Sequence, residues 1–143
     1  MIPSSPAHWT QRYLGMPYEP GGCLLLFVRV QRERFGRIVD PVAIPGALRE
    51  RILAFSAAPE TVGWARVARP IDGDAVLMSF HARPHHIGVY VADVARGSVL
   101  QSIEGSGVVL PSLASQAAGF WRVLGFYRPQ AEIAADAVAR EAA

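Results

Sequence analysis

The chain contains no lysine and a single cysteine. One cysteine excludes an internal disulfide, which leaves Cys23 as either a packing residue or a reactive thiol. All 14 basic residues are arginine, scattered without a run beyond Arg32, Arg34 and Arg37, and the formal net charge is only +2. That is too mild a bias for a nucleic-acid partner. Long hydrophobic runs are also missing. The longest, Leu24 to Val28, is far too short to span a bilayer, so no membrane insertion is expected. The opening MIPSSPAHWTQRY has neither the basic nor the apolar segment of a signal peptide, so synthesis in the cytoplasm is expected. Repeats and low-complexity linkers are absent as well.

What is present suits one domain with a single core: 143 residues, half of them hydrophobic. The spacing predicts a short helix from Ala7 to Leu14. The stretch Gly15-Met16-Pro17-Tyr18-Glu19-Pro20-Gly21-Gly22 then breaks the chain, since neither paired glycines nor prolines continue a helix. Good helix formers run from Cys23 to Arg34, apolar first and charged after Val30. A further helix is predicted over Gly46 to Phe55. Short strands follow at 64–67, 75–80, 87–92, 98–103, 107–110 and 121–127. Helices first and strands afterwards indicate α+β, with the helices packed on an antiparallel, barrel-like sheet. Residues 1–129 form the domain in this reading, and the Ala-rich tail 130–143 is a loose helix. Trp64, Phe80, Phe120, Trp121 and Phe126 are expected in the core, and Asp72 and Asp74 in turns.

Cys23 sits where a Gly-rich turn meets a helix. Unpaired N–H groups and the helix dipole there favour a thiolate and can hold an oxyanion. Gly21 and Gly22 leave the sulfur approachable. A thiol nucleophile also needs a base from elsewhere in the chain. His81, His85 and His86 cluster in FHARPHHIGVYV, and His86 leads directly into a predicted strand. With a turn near Val94 or Ala95, Gln101 of the next strand lies across from residues 87–89, beside His86. Its amide can accept an imidazole N–H bond but brings no charge. The same three histidines could instead ligate a metal, although their spacing matches no zinc motif.

The ordered motifs resemble the NlpC-type papain-like cysteine peptidases, and within them the phage tail-associated cell-wall hydrolases. HWTQRYLGMPYEPGG resembles that family's first helix, Gly-x-Pro-Tyr and Gly-rich turn; Cys23 through VRVQRERFG resembles its nucleophile helix. RPIDGDAVLM resembles its Pro-x-x-Gly-Asp strand. HHIGVYV resembles its His-Val-Gly-Ile-Tyr strand, with the catalytic position on His86. SVLQSIEGSGVV resembles the strand bearing the third polar residue, here Gln101, and GFYRP its closing strand.

The resemblance implies an α+β papain-like NlpC-type fold and an acyl-enzyme mechanism on peptidoglycan stem peptides, with no cofactor and no metal. Cys23, His86 and Gln101 are the implied catalytic residues; Tyr18, Gly22 and His85 are candidate substrate contacts. It further implies a place at the virion tail tip among other tail-tip proteins. Two positions depart from the family pattern. Gly22-Cys23-Leu24-Leu25-Leu26 replaces the usual Asp-Cys-(small or Trp)-Gly-Leu, and Gln101 replaces a frequent His. The alternative expectation is therefore a catalytically weakened structural or assembly protein of the tail tip on the same fold.

Overall fold

The computed structural model describes residues 7–19, 22–39, 63–80, 83–119 and 121–142, without the side chains of residues 80 and 83–85. The helix expected over 46–55, Phe120 and His81 lie outside the described residues. A 3-10 turn, Trp9–Arg12, opens the described chain. It is followed by α1 (Gly22–Phe35), then the strands β1 (Trp64–Val67), β2 (Ala75–Phe80), β3 (Arg83–Val91), β4 (Ser98–Ile103) and β5 (Gly107–Val109). The short helix α2 (Leu113–Ala118), strand β6 (Trp121–Pro129) and helix α3 (Gln130–Ala142) complete it.

The strands form one antiparallel sheet in the order β1-β6-β2-β3-β4-β5. The architecture is therefore α+β. Alternation divides each strand between two faces. Ala75 and Leu77 of β2, Ile87, Val89 and Val91 of β3, and Leu100 of β4 join Leu24, Leu26, Phe27 and Val30 of α1 in the larger core cluster. Val76, Met78, Tyr90 and Val99 point the other way. They form a second cluster with Leu113 of α2 and with Trp121, Val123 and Phe126 of β6. Helix α1 thus lies on one face across β3 and β4, and α2 on the other. Trp64 is buried as expected, at 5% exposure.

The turn between β3 and β4 puts Ala95 and Arg96 at positive φ and pairs Val89 with Leu100. Beyond that pair the register runs toward Gly88 and Gln101, as the sequence led us to expect. Asp74 does more than close a turn. It is fully buried and receives Arg128 bidentately, Nε to Oδ1 at 2.7 Å and Nη2 to Oδ2 at 2.7 Å, plus the Ile71 N–H at 2.8 Å. Asp72 fits its turn role, its Oδ1 accepting from the Ala92 N–H. Helix α3 has no buried residue and is held at its first turn by Glu132, which accepts from Arg37 Nη2 at 2.9 Å. No helix among the described residues is long and apolar enough to cross a membrane.

Candidate functional site

Cys23 is the second residue of α1. At the head of the helix the Gly22 N–H donates to the Glu19 carbonyl at 2.6 Å. The thiol is part-buried and packs against the α1-side core. Backbone N–H groups of Ile87, Leu24 and Cys23 itself bear on the sulfur and favour the thiolate. Burial outweighs them and holds the thiol above its ordinary pKa of 9.0. This corrects the expectation that the helix terminus would depress the thiol: the apolar surroundings of Cys23 cost the anion more than three N–H dipoles return.

His86 lies early in β3, paired with Met78 of β2. Its ring stands against the Trp121 indole, ring centroids 4.9 Å apart and planes inclined by 50°. Burial lowers the imidazole from 6.5 to about 4, partly offset by Gln101, which favours the charged ring. The structure therefore brings Gln101 to His86, by the register argument made from sequence. Their contact is not an aligned hydrogen bond. His86 Nε2 and both amide atoms of the fully buried Gln101 have no partner among the described residues.

Cys23 reaches the same strand at Ile87, whose side chain lies on the α1 face. His86, paired with Met78 and stacked on Trp121, points to the opposite face of the sheet, so the structure does not bring the two side chains together. Among the described residues no hydrogen bond joins thiol and imidazole, and neither group perturbs the other's protonation. At pH 7 both are neutral.

Tyr18 and Gly22 are brought together. A Cβ built on Gly22 would lie 3.1 Å from Tyr18 Cδ2 and 3.0 Å from Ser102 Oγ. The backbone of His85 is in β3, but its side chain is not among those described. The metal reading needed His81 and His85, so it too falls outside the described side chains. Among the described residues, no three His, Cys, Asp or Glu side chains gather as a metal-holding group.

Sequence reasoning missed Trp121 as the wall of His86 and took it only as a core aromatic. It also missed Ser102 beside the nucleophile turn. Trp121 gave no local signal, because its neighbour comes from a strand 35 positions earlier. Ser102 could have been found by alternation: two places after Leu100, it falls on the α1 face. No protein-family model matches the chain, and no curated protein matches it.

Proposed function

We propose that the chain is a papain-like cysteine hydrolase of NlpC type that cleaves amide bonds in peptidoglycan stem peptides. In this reading it is carried at the tail tip of a phage or phage-like particle, with other tail-tip proteins as partners. One observation carries the chemistry. Cys23 lies on the first turn of α1 with backbone N–H groups on its sulfur and meets β3 one residue from His86, whose ring touches Gln101. The peptidoglycan substrate and the tail location are supported by the motif resemblance alone.

The steps start from neutral groups. His86, uncharged at pH 7 because its pKa is about 4, must swing from the Trp121 side of the sheet toward Cys23, where it takes the thiol proton as the sulfur attacks the amide carbonyl carbon. The tetrahedral oxyanion is held by N–H groups at the start of α1. The C–N bond breaks, and the imidazolium gives its proton to the leaving amine. Water, deprotonated by His86, then attacks the thioester. The carboxyl product leaves and the thiol is restored. Gln101 orients the ring and lends no charge. Purified sacculi test this reading. The wild-type chain is expected to release soluble peptides with new amino termini and Cys23→Ala none. Equal release by both overturns it.

A second reading has its own observation. The resting thiol and imidazole are both neutral and share no hydrogen bond, which suits a tail-tip structural protein of little turnover. Particles carrying Cys23→Ala would then assemble and infect normally. A DNA-entry defect with intact particles rejects that reading.

A further inference from the structure

Strand β6 is longer than the strand beside it. β1 ends at Val67, opposite Phe126, so among the described residues no strand lies on that side of Val123, Leu124 and Gly125. A groove of about 350 Å³ opens in this notch, lined on β1 by Arg66 and Val67 and on β6 by residues 123–126. Val67, Val123 and Phe126 are each part-buried and give it an apolar floor. The bare edge has a stand-in. Arg66 Nη2 donates to the Leu124 carbonyl at 3.1 Å, a bond that a neighbouring strand would supply from a backbone N–H. Gly125 makes the room, since a Cβ there would stand 3.2 Å from Arg66 Nε.

The charge around the notch has one sign. Arg66, Arg69 and Arg122 are exposed, and none of them joins an ion pair among the described residues. The only acids in residues 63–80 and 121–129 are Asp72 and Asp74. Both are engaged, Asp72 by the Ala92 N–H and Asp74 by Arg128. Such an edge repels a second copy of itself and complements an acidic chain. Arg66 and Val67, like Arg122 and Val123, are neighbours in extended strands and so face opposite sides of the sheet. A strand that matched them would alternate apolar and acidic residues.

We propose that the notch takes an extended acidic segment of a partner protein, which adds to β6 as a strand in line with β1. Its backbone takes over the Leu124 carbonyl from Arg66. Its apolar side chains lie on Val67, Val123 and Phe126, and its carboxylates meet the arginines. The proposal is independent of Cys23 and His86. The probe is a fluorescein-labelled peptide, Val-Glu-Val-Glu-Val-Glu with an amidated end, titrated with the full chain at low salt. It is compared with its Lys-for-Glu form. Two further forms are N-methylated, at the valines or at the glutamates, so that each blocks the donors of one strand edge.

The acidic peptide is expected to bind, and the lysine form about tenfold or more weakly. One methylated form loses binding and the other keeps it, because only one edge of the added strand faces β6. Arg66→Gln and Arg122→Gln each weaken the acidic peptide by roughly threefold, the scale of an exposed ion pair. Both side chains are exposed, so the variants fold. Bound peptide slows hydrogen exchange at residues 123–125 of β6. No binding, equal binding of the acidic and lysine forms, equal effects of the two methylations, or binding without protection of β6 each overturns the proposal. So does sedimentation that shows the chain alone self-associating with the same amides protected, which would give the edge to a second copy.

Discussion

The imidazole of His86 lies against the indole of Trp121, with ring centroids 4.9 Å apart. This places the proposed base among apolar neighbours, and burial is what draws its pKa down to about 4. The consequence for stability has a definite sign. The unfolded chain binds the proton near 6.5 and the folded chain only near 4, so stability is complete above 6.5. It falls as the pH drops from there to about 4, and below that this group adds no further dependence. Between pH 7 and pH 5 the loss is at most about 2 kcal/mol, because part of the residue reaches solvent. Urea unfolding of wild type and His86→Gln at the two pH values checks it. The wild type is expected to lose more stability than the variant on acidification, and parallel losses would contradict the burial of a neutral His86.

The ion pair of Asp74 and Arg128 fixes β6 to the start of β2. With Asp74 fully buried and the Arg128 side chain 12% exposed, removing one partner strands the other. Asp74→Ala is expected to destabilise by about 3 kcal/mol or more. Arg128→Lys, which cannot form the bidentate fork, is expected to lose part of that. Chemical denaturation of the variants measures both.

Gly88 lies on β3, the strand that carries His86, and faces β4, which carries Gln101. A Cβ there would run into Val99 Cγ1 and stand 3.0 Å from the Leu100 carbonyl oxygen and 3.4 Å from Gln101 Cβ. Gly88→Ala is expected to cost about 1–3 kcal/mol through overpacking, and to shift Gln101 away from the ring. Thermal unfolding reads the first effect. The His86 titration followed by NMR reads the second, moving below its wild-type value as the Gln101 contact is lost.

Much of this arrangement is legible in the sequence because strands announce themselves by alternation. The bounds of β1, β2 and β4 coincide with those read from residues alone. Strand β3 begins at Arg83 rather than Ile87. Pro84 and the histidine pair disguise its start, where the backbone still pairs with β2 through Phe80 and Arg83. Helix α2 was missed because it is short, although Ser112 caps it by accepting the Ser115 N–H at 3.0 Å. The pairing of His86 with Gln101 followed from the turn between their strands. The raised Cys23 thiol did not. A helix N-terminus is a local feature that the sequence displays, whereas the burial that outweighs it comes from strands folded over from far along the chain. Arg128 was hidden for the same reason, its carboxylate lying 54 residues away.

The central claim is that Cys23 is a nucleophile served by His86, and an acyl-enzyme measurement tests it most directly. The full chain is mixed with an activated ester of a short peptide, quenched in acid at short times and digested for mass spectrometry. The peptide bearing Cys23 is expected to carry the acyl group in wild type, at a rate that falls at least tenfold in His86→Ala, on the scale of general-base assistance. No acyl group on Cys23, or one that forms equally fast in His86→Ala, would contradict it.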